Sequence, residues 1–378
     1  MKRVVNILTI IILLIPVTGC VEKNQLEQLG LITAVGFDYS DKKDVIKGTA
    51  VLQTFDPQMK NISNIISDEG KTSKGIRENE NLKSNNKLVS GQLRVVVFGE
   101  EVAKDGTGRL VDTLNRDATI GNMLYISVAK GTAEDLLKKN KIEASQNLGT
   151  YLYQLIKQNV EEELVISPTL YEYNHSFYDE GKDPVIPILK LDAGDIVISG
   201  AGLFKDDQYI EELKLNKLFF LKVLIDQYKA GALELELPID ELKKFIKDDV
   251  SDKEKLILTV DNINSNRKIK LLDKEKPKFS VEVNLETRVL EISENVDLGN
   301  PEVVKILKKI TEKEIKKEMS NLIAHFQNLG IDPVGFGNFY NSRVRGKNFK
   351  QEEWREMLKT AEFDIRINNK IVRTGVID

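Results

Sequence analysis

The 378-residue chain contains one cysteine and two histidines, so thiolate or imidazole chemistry is limited to Cys20, His175 and His325. Cys20 ends the stretch LIPVTGC, Leu14 to Cys20, where Val17, Thr18 and Gly19 lead directly to its sulfur. A thiolate is the species a lipid donor can alkylate, and small residues before it let the backbone enter a signal peptidase cleft. Lys2 and Arg3 give a positive start, and Val4 to Val17 is apolar apart from Asn6 and Thr9, the layout of a secretory signal peptide. That run falls short of the roughly 20 residues a membrane-spanning helix needs, which disfavours an uncleaved anchor. Residues 1–19 therefore read as a signal peptide that is removed, and Val17-Thr18-Gly19-Cys20 as a bacterial lipobox with the lipid on Cys20. The alternative is a chance cysteine beside an ordinary cleavage site.

Elsewhere the residues argue against catalysis. After Cys20 there is no cysteine for a disulfide or a thiolate metal site. His325 sits in IAHFQ and reads as a helix-flank residue. His175 sits in YEYNHSFYDEG, an aromatic, polar stretch expected as a loop that its tyrosines pack. There is no Gly-x-Ser-x-Gly, no Walker sequence and no dinucleotide glycine fingerprint after a strand. Carboxylates are abundant but scattered, so neither an enzyme, nor a metal site, nor a cofactor beyond the covalent diacylglycerol and acyl lipid is expected. Loss of Lys2 and Arg3 takes the 55 basic residues to 53 against 59 acidic ones, a net charge of −6. That balance argues against nucleic acid as a partner. Gly335-Phe336-Gly337, after Asp332-Pro333 and before Tyr340, reads either as a structural turn or as a rigid contact loop.

The elements that must position these residues point to an α+β (mixed α/β) protein of three domains, each a β-sheet packed with helices. Residues 20–190 form the first. LGLITAVGFDY and VIKGTAVLQTF flank a charged turn and read as a strand pair. Asp56 to Lys87 reads as a loop with a weak helix. Leu93 to Phe98 is a strand apolar on both faces, and Thr132 with Asp135 marks a helix start. The segment DPVIPILKL, with two prolines, is expected as an exposed extended crossing. Residues 191–272 form a middle unit, with Gly200-Ala201-Gly202 in a hairpin, a helix over 211–229, and the alternating strand ALELELPI. Residues 273–378 pack one long helix on a sheet. That helix starts at Pro301 and stops at Gly330. Val303, Ile306, Leu307, Ile310, Ile315, Met319, Leu322, Ile323, Phe326 and Leu329 form its apolar stripe.

Taken in order, several stretches resemble the Ger(x)C family, the lipoprotein C subunits of nutrient germinant receptors in spore-forming Firmicutes. They are the lipobox, Leu29 to Asp38, Gly91 to Glu101 with its Gln92 and Arg94, and Leu114-Asn115-Arg116-Asp117. Asp183 to Pro187, Ser199 to Phe204, Gly330 to Gly337 and Arg373-Thr374-Gly375 follow. The sequence departs from the family pattern after Cys20, at Gly121-Asn122 where a second arginine is usual, and at Asn338 where an acidic residue is usual. The resemblance implies a non-enzymatic, three-domain protein, lipid-anchored to the outer face of the inner spore membrane. It would assemble there with the membrane-embedded A and B receptor subunits, one of them transporter-like, and act in receptor assembly and germination signalling. Gln92, Arg94, Arg116, Asp117, Asp332, Gly335, Phe336, Gly337 and Tyr340 are the partner contacts it suggests. Two other classes remain open: a solute-binding lipoprotein of a transporter, which calls for two similar lobes around a cleft, and a surface enzyme acting on cell wall, which calls for carboxylates gathered in a groove.

Overall fold

The computed structural model describes residues 26–54, 63–142, 146–226, 231–247, 253–344 and 350–373. The signal peptide, the lipobox residues Val17, Thr18 and Gly19, and Cys20 itself lie outside them, as do Thr374 and Gly375.

Two sheets carry the described residues. The first begins with the expected pair, β1 (Leu29–Tyr39) and β2 (Ile46–Gln53), and continues with β3 (Ser63–Gly70), β4 (Lys87–Val89), β5 (Val95–Gly99), β6 (Tyr125–Ala129), β7 (Val185–Asp192), β8 (Asp195–Lys205) and β9 (Gln208–Lys214). Its order is β3-β2-β1-β5-β6-β7-β8-β9, with β4 beside the start of β1. The centre, β1, β5, β6 and β7, is parallel, and antiparallel strands extend it on both sides. Val95 to Phe98 are fully buried, as a central parallel strand covered on both faces requires.

Helices cover this sheet: α1 (Ser73–Lys83), α2 (Glu100–Asp105), α3 (Gly108–Asn115), α4 (Ala133–Lys138), α5 (Leu148–Glu161) and α6 (Leu170–Tyr178). The start of α4 shows why the LGLITAVGFDY and VVVFG stretches have the residues they do. Asp38 of β1 accepts from the backbone N–H of Ala133 and Glu134, both at 2.8 Å, and Thr132 Oγ1 accepts from Asp135 N–H at 3.1 Å. The first turn of α4 is thus capped twice. A Cβ at position 99 would lie 2.0 Å from Asp38 Oδ1, so only glycine leaves room for that cap.

The second sheet, β10 (Ala232–Pro238), β11 (Lys255–Asp273), β12 (Lys278–Ile292) and β13 (Glu362–Arg373), runs in that order, antiparallel except for the parallel β12–β13 pair. The chain crosses from β12 to β13 through α8 (Pro301–Leu329), α9 (Phe336–Asn341) and α10 (Gln351–Thr360). As expected, α8 begins at Pro301, under an Asn300 cap, and ends at Gly330 in the left-handed conformation, φ +67°. Its buried face is the stripe read from the sequence, with Thr311 added, while Ile306 and Leu329 are partly buried.

Several expectations change, and the stretch 56–87, expected as a loop with a weak helix, also holds strand β3. The segment 191–272 builds no sheet of its own: β8 and β9 complete the first sheet, and β10 and β11 open the second. The helix expected over 211–229 is instead β9 followed by α7 (Leu215–Ile225). The alternation of Tyr209, Glu211 and Leu213 suits a strand, and Asp206 makes the hairpin turn with φ +56°. Leu218, Phe219, Phe220, Leu221, Val223 and Leu224 of α7 are all buried, in an apolar core shared with the second sheet and α8. DPVIPILKL is not an exposed crossing. It is β7, with Ile186, Ile188 and Leu189 buried. Pairing to β6 begins at Ile188, beyond Pro187, so the missing N–H breaks no rung on that side.

Candidate functional site

Two polar constellations lie within these layers, and both include residues from the stretches that carried the family resemblance. The first joins the N-terminal sheet to the C-terminal unit. Asp183, just before β7, and Asp332, just after α8, are 1% and 2% exposed. Their backbones and side chains lock reciprocally: Asp183 N–H donates to the Asp332 carbonyl at 2.9 Å, and Asp332 N–H donates to Asp183 Oδ2 at 2.7 Å. Asp332 Oδ1 accepts from Gly335 N–H at 2.8 Å, and Oδ2 accepts from Gly337 N–H at 2.8 Å and Trp354 Nε1 at 3.0 Å. Arg355 closes the cluster, donating to Asp183 Oδ1 at 3.0 Å and to both Asp206 carboxylate oxygens at 2.8 and 3.0 Å. Burial pushes the Asp332 carboxyl up to about 6 against its backbone donors, with Asp183 adding to the rise. Burial likewise raises Asp183.

The backbones meet here too. A Cβ on Gly181, whose φ is +90°, would fall 2.4 Å from Gly337 C, and one on Gly337 would fall 2.6 Å from Gly181 Cα and from Trp354. Only glycine at both positions allows this approach. Of the expected contact residues, Asp332, Phe336, Gly337 and Tyr340 are therefore interior. The turn is a structural one, and these four residues are not a surface for a partner. Gly335 is half-buried beside Lys182.

The second constellation is a cavity of about 60 Å³ between α1, α3 and the face of β1 and β2. Apolar Ile32, Val35, Phe37, Ile76, Leu93 and Leu114 line it together with Ser73, Lys74, Arg77, Glu80 and Asp117. Asp117 forms an ion pair with Lys74 and accepts from Arg77 Nη1 at 3.4 Å and from Thr119 Oγ1 at 2.7 Å. Burial works to raise its carboxyl, but Lys74 and the Thr119 donors outweigh it and hold it well below the usual range. Glu80 is 3% exposed, and burial, reinforced by Asp68 and opposed by Lys83 and Arg77, pushes its carboxyl up to about 7.

The remaining expected contacts are at the surface. Gln92 is exposed, Arg94 lies over the Tyr153 ring at 5.3 Å, and Arg116 is exposed with an Asp112 ion pair at 2.8 Å. His175 lies in α6 rather than in a loop, because Thr169 caps that helix and Tyr173 and Phe177 stack one turn apart. His325, in α8, makes a side-chain hydrogen bond with Glu211 of β9. Among the described residues no cluster of three or more His, Cys, Asp or Glu could hold a metal ion.

Comparison with known proteins identifies the family. Residues 22–191 match the family described as "Spore germination protein N-terminal domain", and residues 199–375 match "Spore germination B3/ GerAC like, C-terminal". The chain belongs to the Ger(x)C family. It is 26% identical to spore germination protein GerQC of Bacillus cereus over 379 aligned residues, covering 100% of both chains. It is 22% identical to spore germination protein KC of Bacillus subtilis (strain 168), over 99% of this chain and 95% of that one. The crystal structure of the GerBC protein is similar in fold, with a TM-score of 0.52 and 18% identity, covering 89% of this chain and 97% of that one.

Within this Ger(x)C protein, the departure at Asn338 has a local reason. Its side-chain amide donates to Asp179 Oδ2 at 2.8 Å, where an acidic side chain would instead bring two carboxylates together. Sequence reading had not singled out Asp38, Glu80 or Arg355. Asp38 carried a signal as the one carboxylate in the otherwise apolar run LGLITAVGFDY, whereas the partners of Arg355 are 149 and 172 positions away.

Proposed function

We propose that this spore germination protein is the C subunit of a nutrient germinant receptor. On this reading it is held by diacylglycerol and acyl lipid on Cys20 to the outer face of the inner spore membrane. There it assembles with the membrane-embedded A and B subunits and has no catalytic step of its own. The observation that carries the reading is the full-length likeness to relatives named as germination proteins, not as enzymes, across both family domains. No helix among the described residues is long and apolar enough to cross a membrane, and on this reading the attachment is the lipid on Cys20. Two or more acyl chains anchor stably where one does so only marginally, and confinement to the surface raises the effective concentration near partner subunits.

The solute-binding alternative calls for two similar lobes, and the described sheets, nine strands and four, are unlike in size and order. The test is Cys20→Ala in spores. The expected result is an unprocessed precursor or a protein released from the membrane fraction, and loss of a transporter-like membrane protein from its detergent-solubilised complex. Normal processing and unchanged membrane retention in the variant would overturn the lipoprotein reading. Repeated recovery of the wild-type chain alone under gentle solubilisation would overturn the receptor reading.

A further inference from the structure

We infer that the cavity beneath α1 is a binding site for a small primary ammonium, with the Glu80 carboxylate as its anion and Ser73 Oγ as a second acceptor. Glu80 Oε1 and Ser73 Oγ are both buried and both without a hydrogen-bond partner among the described residues, and the two residues that carry them line the same cavity. Two orphaned acceptors in one cavity are unusual, because each buried polar atom left unpaired costs about 1–3 kcal/mol. Asp183 and Asp332, equally buried, have donors on all four of their carboxylate oxygens, so this fold can satisfy a buried carboxylate where it needs one for stability alone.

The chemistry of the walls selects the ligand. Glu80 and Ser73 offer lone pairs, and a carboxylate in an apolar setting favours a cation that also donates hydrogen bonds. Lys74 and Arg77 do not fill that role, because both are drawn to Asp117, with Arg77 Nη1 also 3.0 Å from Ser90 Oγ. Lys83 is held away by Asp68 at 2.7 Å. Ile32, Ile76, Leu93 and Leu114 supply apolar contact for one or two carbons beside the nitrogen. A cavity of about 60 Å³ exceeds what one water requires and takes a group of a few non-hydrogen atoms. With so few atoms, the expected dissociation constant is in the millimolar range. The inference goes beyond the receptor reading and stands or falls separately from it.

The test uses the full mature chain in detergent with isoleucine methyl groups labelled, since Ile32, Ile76 and Ile120 all line the cavity. Methylammonium chloride is titrated at constant ionic strength, with sodium chloride and tetramethylammonium chloride as parallel arms. The expected result is saturable shifts of these methyls with methylammonium alone. Binding should be roughly tenfold tighter at pH 8 than at pH 6, because the proton on Glu80 competes with the cation. Glu80→Gln should abolish the shifts, and Ser73→Ala should weaken binding severalfold. No saturation at pH 8, equal shifts from sodium or tetramethylammonium, or undiminished binding in both variants would each overturn the proposal.

Discussion

Asp332 and Glu80 are carboxylates buried to nearly the same degree, 2% and 3% exposed, yet they live in opposite surroundings. Asp332 receives Gly335 N–H, Gly337 N–H and the Trp354 indole, and Arg355 secures its neighbour Asp183. Glu80 has an oxygen to which no described residue donates. The first site is a clasp between two units whose polar groups are consumed in holding them together. The second leaves acceptor capacity unused. Burial alone therefore does not distinguish a structural carboxylate from a binding one; the number of donors already committed to it does.

Breaking the clasp should have the largest effect. Arg355→Ala removes the cation that faces Asp183 and leaves that carboxylate buried without its charged partner. The expected loss is about 3–5 kcal/mol, the range for removing one member of a buried ion pair. Urea unfolding of the purified chain measures it. A loss below about 1 kcal/mol would mean that the Asp332 and Asp206 backbone donors suffice for Asp183, and that the clasp owes little to its charge.

The pH dependence sharpens the other side of the comparison. Glu80 rises from an ordinary value of 4.5 to about 7 in the folded chain, so the folded state holds that proton more tightly than the unfolded state. Its contribution to stability is therefore greatest below pH 4.5 and is lost as pH rises through about 7, by roughly 3 kcal/mol at 1.36 kcal/mol per unit. Glu80→Gln removes this slope, so the variant should gain stability relative to the wild type between pH 4.5 and pH 8. Parallel stability curves for the two proteins would show that Glu80 finds a donor in solution.

How much of this was legible in the sequence follows from the range of the interactions. The α8 helix was visible because proline, glycine and a periodic apolar stripe all act within a few residues of one another. The parallel core strand Val95 to Phe98 was visible because burial on both faces leaves an unbroken apolar run. Its partners were not, and neither was the division of residues 191–272 between two sheets, since strand pairing is decided by distant segments. The same limit hid the clasp. Asp183-Pro184 and Asp332-Pro333 were each recognisable, but nothing local says that they touch or that Arg355 meets the first. Gly335-Phe336-Gly337 was therefore open to two readings, and only the approach of Gly181 decides for the structural one.

The smallest stability effect belongs to an exposed residue of the stretches that carried the resemblance. Arg116 is exposed and pairs with Asp112 one helical turn away at 2.8 Å, the kind of ion pair that contributes about 0.3–0.5 kcal/mol. Arg116→Ala should therefore leave urea unfolding within about 0.5 kcal/mol of the wild type. Its neighbour Asp117 faces inward to Lys74 and Arg77, so the two adjacent residues separate a surface role from a structural one. If Arg116 meets another receptor subunit, the variant should fold normally and yet recover less of the membrane partner from solubilised spores. Normal folding with full recovery would remove Arg116 from the contact surface and leave Gln92, also exposed, as the next residue to test.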